Sequence, residues 1–327
     1  MKEVRICIIG LGSMGKRRAR LLKQINKNFI LVGVDKRSDR RVEFHNLFDV
    51  TVFADIDSAL RQRKYDCAFI CTSPLYHAVI KAKLDTYSLH TFSEINLVSD
   101  GYANVSDKPE ARSFLSSTQL YSKGITVLQT LISKMNKYFY SYHVGQYLPD
   151  WHPWDKKEDF FVFDKRTNGC REILAIELPW IVALFGHIKT IKIISGNMTS
   201  MAVCFPDVYN IIIEHDNGSL GSLTVDVVSR SPVRDLKIQN ETTFIRWDGS
   251  PDSMKMLNLE TRSFDTISLY NQITHTDGYS DKIVEEPYFE EIKDFLHGIY
   301  DFNHKFKYSY EQDSYVIQIL DRIEQEK

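Results

Sequence analysis

Val4-Arg5-Ile6-Cys7-Ile8-Ile9-Gly10-Leu11-Gly12-Ser13-Met14-Gly15 decides how this chain folds. The first half is a short apolar run rich in β-branched residues, which reads as a strand. The second half carries three glycines in the spacing G-x-G-x-x-G. Lys16 to Gln24 then reads as a helix, and Phe29 to Val34 as a second strand ending at Asp35. The glycine spacing alone is a weak signal. With a strand before it, a helix after it and an acidic residue 20 positions beyond Gly15, it becomes a dinucleotide-binding fingerprint. Gly10 allows a tight turn, Gly12 lets backbone approach a pyrophosphate, and Gly15 permits close helix–strand packing. The helix start at Ser13 and Met14 offers free N–H groups and a positive dipole end to phosphates. Asp35 suits the ribose hydroxyls of NAD. Lys36 and Arg37 follow directly and could instead hold the 2′-phosphate of NADP, which stays open. The plain alternative is a glycine turn that binds nothing.

Further along, strands and helices keep alternating. Val50 to Phe53, Tyr65 to Cys71, His90 to Phe92 and Phe114 to Ser117 read as strands, and Asp57 as the N-cap of a helix. This pattern predicts a doubly wound parallel sheet of Rossmann type over residues 1–120. Residues 121–327 differ. Tyr140 to Leu148 is a strand, Cys170 to Leu184 a helix, and five apolar runs between Ile188 and Trp247 follow with turn signals between them. Asp216-Asn217-Gly218 marks a hairpin. Two helical stretches close the chain, Glu286 to Gly298 and Glu311 to Glu326. The expectation is an α/β protein whose second domain is α+β, with an open, mainly antiparallel sheet.

Composition narrows the function classes. The chain has 327 residues, 43% of them hydrophobic, and a net charge of -2. That balance gives no general attraction to nucleic acid or to an anionic membrane. The basic run Lys16-Arg17-Arg18, with Arg20, reads as a solvated helix face. The five cysteines form no paired framework, and Cys7, Cys67 and Cys71 lie in apolar runs as small core residues. No complete ligand set for a metal emerges, so no metal is expected. No apolar stretch is long enough to span a bilayer. These features predict a reducing, cytoplasmic setting.

The chain resembles the Gfo/Idh/MocA oxidoreductases, the family of glucose–fructose oxidoreductase and inositol dehydrogenases. The likeness rests on the glycine motif with Asp35, on Cys71-Thr72-Ser73-Pro74-Leu75-Tyr76-His77 and on Ser93-Glu94-Ile95-Asn96-Leu97. Ala183-Leu184-Phe185-Gly186 and Pro287-Tyr288-Phe289-Glu290-Glu291 add to it. The resemblance implies NAD(P)-dependent hydride transfer on a sugar, polyol or nucleotide-sugar. It also implies a homodimer or homotetramer built through the second domain's sheet, and it places Thr72, Ser73, Pro74, His77 and Glu94 near the cofactor. The stretch Val144 to Trp154 looks like members tied to surface-sugar pathways.

Two positions depart from the family. Its usual Glu-Lys-Pro is here Glu94-Ile95-Asn96, and its catalytic histidine column holds Ile176. The matching acidic column holds Ile173 or Glu172. Neither isoleucine can carry a proton, so the acid/base group must come from elsewhere. Lys123, His152, Glu172 and Glu177 are the candidates. Glu172 and Glu177 flank an apolar strip of one helix, with Arg171 and Trp180 beside them. Tyr147, Asp150 and Trp151 lie in an aromatic loop suited to a sugar ring, and Tyr121 precedes Lys123 at the carboxyl edge of the first sheet. Each has a structural alternative: an ion-paired glutamate, an aromatic plug, a surface lysine. Two other functional readings follow from the missing residues. One is a protein that binds NAD and a sugar without turnover, as a sensor or partner subunit. The other is a redox-neutral reaction with tightly held NAD.

Overall fold

A computed structural model describes residues 4–100, 110–151, 160–270 and 284–325. The elements begin β1 (Arg5–Ile9), α1 (Ser13–Ile25), β2 (Ile30–Val34), α2 (Ser38–Phe48), β3 (Thr51–Phe53) and α3 (Ile56–Gln62). There follow β4 (Cys67–Ile70), α4 (His77–Asp85), β5 (His90–Ser93), β6 (Ser113–Leu115), α5 (Lys123–Leu131), β7 (Phe139–Gly145) and α6 (Gly169–Phe185). The strands β8 (Ile188–Gly196), β9 (Val208–His215), β10 (Leu220–Asp226) and β11 (Val233–Gln239) come next. The chain closes with β12 (Phe244–Trp247), β13 (Lys255–Leu257), β14 (Phe264–Thr266), α7 (Glu286–Tyr300) and α8 (Tyr310–Gln325).

The chain divides into two compact units, Met1–Thr118 with Tyr288–Ser314, and Gln119–Pro287 with Tyr315–Lys327. The first holds a six-stranded sheet in the order β3-β2-β1-β4-β5-β6. Its pairs are all parallel. The order reverses between β2-β1 and β4, which leaves a crevice at the carboxyl ends of these strands, where ligands bind in such sheets. On one face, Phe69, Phe92 and Phe114 from adjacent strands stack with ring centroids 4.7 Å apart. Phe295 of α7 meets all three rings at 5.5–5.9 Å. This aromatic column is why Tyr288–Ser314, assigned to the second domain by a linear reading, packs with the first unit. The other face buries Cys7, Ile9, Val32, Val34, Ala68, Ile70, Ile80 and Leu84 in one cluster.

Two local expectations are corrected here. The N-cap of α3 is Asp55, whose carboxylate accepts from the Ser58 N–H at 2.8 Å, and Asp57 lies inside the helix. The basic run is not a solvated face either. Arg17 and Arg18 are buried, while Lys16 reaches Glu43 at 2.6 Å. Arg18 lies between two carboxylates, Glu94 at 2.6 Å and Glu291 at 2.8 Å. A buried guanidinium persists only when so paired.

The second unit is an eight-stranded sheet in the order β14-β13-β12-β11-β7-β10-β9-β8. All its pairs are antiparallel except β7 with β10. One face is buried, with Tyr140, Tyr142, Leu223, Val225, Ile211 and Ile238 pointing inward. The alternate residues Phe139, Ile212, Leu220 and Ile194 are exposed on the other. The helix α5, absent from the sequence reading, starts at Lys123 with Ser122 as its cap. A Cβ on Gly124 would stand 2.3 Å from the Trp247 ring, so α5 sits close on the sheet because it carries glycine there. Among the described residues no helix is long and apolar enough to cross a membrane.

Candidate functional site

The glycine turn has the shape its spacing predicts. Gly10 has φ +92°, and a Cβ there would stand 2.6 Å from the Cys71 carbonyl oxygen. A Cβ on Gly15 would fall 2.0 Å from the Gly10 oxygen. Both glycines are therefore demanded by the fold. Gly12 is different. Among the described residues, and apart from its chain neighbours, the atoms within 4 Å of its missing Cβ belong to the Arg40 guanidinium, at 3.4 Å and 3.7 Å. Its backbone therefore borders open space, as an approaching pyrophosphate requires. The start of α1 has no side-chain cap and no acidic residue in its first turn, which leaves its positive end available to an anion. The turn is pinned from below. Leu11 N–H donates to Asp35 Oδ2 at 2.8 Å, and Gly10 N–H to the Val34 carbonyl at 2.8 Å. Asp35 Oδ1 accepts from Arg37 N–H at 2.9 Å. A carboxylate has about four acceptor positions, so two bonds leave room for ribose hydroxyls. Four cations follow Asp35: Lys36, Arg37, Arg40 and Arg41. Arg40, which the sequence reading passed over, is the one that reaches the turn.

The segment after β4 adds a second wall. Ser73 Oγ is sealed from solvent and has no hydrogen-bond partner among the described residues, as a group awaiting a ligand would. Pro74 opens a single 3-10 turn before α4. His77 does not face outward. Its Nε2 donates to the Thr72 carbonyl at 2.9 Å and its Nδ1 accepts from Ser93 Oγ at 3.3 Å, a pattern that fits a neutral ring. Burial holds its pKa below the usual histidine value. His77 is thus a strut between β4 and β5. Glu94 is likewise engaged, since Arg18 grips both its oxygens, at 2.6 and 3.0 Å.

In the second unit, α6 separates the candidate residues sharply. Asn168 caps it by accepting from Arg171 N–H at 2.9 Å. The Arg171 guanidinium binds Asp321 at 2.6 Å and Glu324 at 2.5 Å, both on α8. Glu177 is buried and accepts from Tyr142 Oη at 2.9 Å, Trp180 Nε1 at 2.6 Å and Arg234 at 2.5 Å. Arg171, Glu177 and Trp180 are therefore joined into the packing between α6, α8 and the sheet. Glu172 is not. Its Oε2 is sealed from solvent with no partner among the described residues. Burial raises its pKa from the ordinary 4.5 to about 8. A carboxyl poised near neutral pH is what a general acid or base needs.

The end of β7 and the loop after β10 meet this first turn of α6. A Cβ on Gly169 would lie 2.9 Å from Leu148 and 3.1 Å from Val227. Tyr147 N–H donates to the Ser229 carbonyl at 2.7 Å, which ties the two loops together. The Arg230 guanidinium covers the Tyr147 ring at 4.1 Å and lies 3.7 Å from Asp150. Trp151 Nε1 donates to the Gln146 carbonyl. The sequence reading missed Arg230 because only the pairing of these loops brings it to Tyr147. It also missed His143, whose Nε2 meets Asp226 at 2.6 Å across the bare backbone of Gly145. Tyr121 is buried. Lys123 is half exposed and pairs with Glu286 at 3.0 Å, as a surface lysine does. His152 lies outside the described residues. No three His, Cys, Asp or Glu side chains gather as metal ligands among the described residues.

One unit with a parallel sheet of Rossmann type and a second with an open, mainly antiparallel sheet define a two-unit α/β protein. Residues 4–121 match the GFO_IDH_MocA model, described as an oxidoreductase family with an NAD-binding Rossmann fold. Solved structures extend the likeness over the whole chain. Levoglucosan dehydrogenase in complex with NADH superposes with a TM-score of 0.81 at 16% identity, covering 98% of this chain and 96% of that one. UDP-N-acetylglucosamine 3-dehydrogenase from Acidithiobacillus ferrooxidans gives 0.75 at 14%, covering 99% and 97%. A myo-inositol dehydrogenase from Corynebacterium glutamicum gives 0.72 at 14%, covering 98% and 95%. At such identities the likeness is one of fold. No match was found among curated proteins.

Proposed function

We propose that this chain is an NAD-dependent oxidoreductase acting on a carbon of a sugar or nucleotide-sugar. The observation that carries the proposal is the glycine turn. It is fixed by Asp35, demanded by packing at Gly10 and Gly15, and open only at Gly12. The residues fit the cofactor. Gly12, Ser13 and Met14 would receive the pyrophosphate, Asp35 the ribose, and Ser73, with Thr72 and Pro74, the wall beyond. Bound NAD supplies a hydride acceptor or, reduced, a hydride donor.

The chain's own residues must handle the accompanying proton. Glu172 is the group for that role. It takes a hydroxyl proton when ionised and returns it when neutral, and a pKa of about 8 allows both near neutral pH. The Tyr147–Arg230–Asp150 group at the same end of the second unit suits a polar ring. The dehydrogenases of levoglucosan and of UDP-N-acetylglucosamine that share the fold favour a sugar substrate. The stretch Val144 to Trp154 favours surface-sugar metabolism. Association of copies through the exposed face of the eight-stranded sheet belongs to the same reading.

Binding of NAD and sugar without turnover is the second reading. It is favoured by Ile95 and Ile176 at the family's proton-handling positions and by the engagement of Lys123 and Glu177. One experiment separates the two. The purified protein is incubated with NADH deuterated at the nicotinamide C4 and a panel of keto-sugars and nucleotide-sugars, then analysed by mass spectrometry. Deuterium in a sugar supports the oxidoreductase. Confirmed NADH binding with no transfer across the panel supports the binding protein.

A further inference from the structure

We infer that Asp226, held by His143, is a positioning residue for the sugar site: its carboxylate locks together the two loops that carry Tyr147, Asp150 and Arg230. The inference rests on the reading of that group as the place of a polar ring. Its location follows from the topology. β7 and β10 are the parallel pair of the eight-stranded sheet, so their carboxyl ends lie together, with Gly145 beside Asp226. The loops that leave them start side by side. Backbone hydrogen bonds continue the pairing past the strands. Gln146 N–H donates to the Asp226 carbonyl at 3.3 Å, Leu148 N–H to the Val227 carbonyl at 3.0 Å and Tyr147 N–H to the Ser229 carbonyl at 2.7 Å.

The Asp226 side chain closes the second of these loops. It is buried, and its Oδ1 accepts from Val228 N–H at 2.9 Å and Ser229 N–H at 2.7 Å. Its Oδ2 accepts from Ser229 Oγ at 2.9 Å and meets His143 Nε2 at 2.6 Å. Burial alone raises a carboxyl pKa, but the hydrogen bonds from His143, Val228 and Ser229 outweigh it and hold Asp226 below its ordinary value. The group is therefore a carboxylate at neutral pH. A carboxylate only accepts, so His143 is the donor, and the roughly four acceptor positions are filled. Gly145 makes the space for this, since a Cβ there would stand 2.5 Å from Asp226 Oδ2. The turn so closed sets the Ser229 carbonyl against Tyr147 N–H. Arg230, next in the chain, then covers the Tyr147 ring at 4.1 Å and lies 3.7 Å from Asp150. Asp226 acts through Tyr147 and Arg230, not on the sugar itself.

Two measurements on the full chain test this. The first is hydrogen exchange read by mass spectrometry, which needs no substrate. Asp226→Ala should speed exchange over residues 146–149 and 227–230 by about tenfold or more, the scale of lost charge-assisted hydrogen bonds, and leave β8 and β9 as they were. Asp226→Asn keeps an oxygen for Val228 and Ser229 N–H and should restore most of the protection. Should Asp226→Ala not fold, His143→Phe makes the same comparison at about fivefold. Unchanged exchange in the variants overturns the clamp. The second measurement uses whichever sugar of the panel takes up deuterium. Asp226→Ala, or His143→Phe in its place, should raise the KM for that sugar about tenfold or fivefold respectively. It should leave kcat within about threefold and the Kd for NADH within about twofold, the signature of lost ground-state binding. A fall in kcat at constant KM, or NADH binding weakened alike, overturns the positioning role. If no sugar takes up deuterium, the oxidoreductase reading falls, and the exchange data still decide whether Asp226 fixes the loops of Tyr147 and Arg230.

Discussion

Glu172 stands in the first turn of α6 with one carboxylate oxygen sealed from solvent, while Glu177, a little over one turn along, is held by three donors. The two share a residue type and a helix, yet of the two only Glu172 has a carboxylate oxygen sealed from solvent without a partner among the described residues, and burial raises its pKa to about 8. The sign of its pH dependence follows from burial. The Glu172 pKa is raised to about 8, so oxidation of an alcohol, which needs the carboxylate as base, should gain kcat/KM up to about pH 8 and then level. The reverse reduction should lose kcat/KM above the same point. Glu172→Gln should flatten both profiles and slow turnover by about 100-fold or more. Unchanged profiles in that variant would remove Glu172 from the chemistry. Stability gives a second readout. The folded pKa exceeds the ordinary 4.5, so the native state holds more protons between 4.5 and about 8 and loses stability as pH rises through that window. The interval up to pH 7, at about 1.4 kcal/mol per pH unit, gives a ceiling of about 3 kcal/mol. Urea titrations at pH 5 and pH 8 should show that difference shrinking in Glu172→Gln.

At the scale of elements, the β1–turn–α1 unit makes two glycines behave oppositely. Gly15→Val drives a Cβ toward the Gly10 oxygen and should cost about 3 kcal/mol or more, since overpacking against backbone has no cheap relaxation. Gly12→Val meets only the end of a mobile arginine and should leave the melting temperature within about 2 °C, while abolishing NAD binding. Thermal melts paired with NAD+ titration check both, and a Gly12→Val variant that still binds would deny the turn its role. This unit was legible in the sequence because it is local: strand, turn, helix and Asp35 all fall within one short span. The neighbouring Arg18 shows where legibility ends. It lies three and four residues before Leu21 and Leu22, so helical spacing turns it toward the core with them. Only its partners make that tolerable, and they are 76 and 273 residues away in sequence. Glu172 and Glu177 divide for the same reason, since the donors to Glu177 include Tyr142 and Arg234 on two separate strands. Periodicity could place both glutamates on one face but could not say which of them would be claimed.

For the molecule as a whole, long-range packing decides which part of the chain belongs where. Arg18 and Phe295 bring Tyr288–Ser314 into the first unit, so Arg18→Met leaves Glu94 and Glu291 buried together without their cation. Breaking a buried pair in this way costs about 3–5 kcal/mol, which a urea midpoint would register. The outer face of the second unit raises the remaining question. Phe139, Leu220 and Ile212 sit on three neighbouring strands, with Leu220 beside Phe139 across the β7–β10 pair and Ile194 farther out on β8. Ile212 is 55% exposed and Ile194 78%. These exposed apolar side chains are interleaved with Ser222, Glu214, Asn210 and Lys192 on the neighbouring strands, the mixed composition of a surface that meets another folded unit. A flat sheet face can meet its own copy about a two-fold axis, and each substitution then acts twice. Charged residues at Ile212 and Leu220 should therefore split the oligomer. Light scattering after gel filtration should give a dimer or tetramer for the native chain and a lower mass for Ile212→Lys with Leu220→Lys. Affinity for NAD+ should stay unchanged, because the residues proposed to hold the cofactor lie in the other unit. A native chain that already runs as a monomer at micromolar concentration would leave this face without a partner of its own kind.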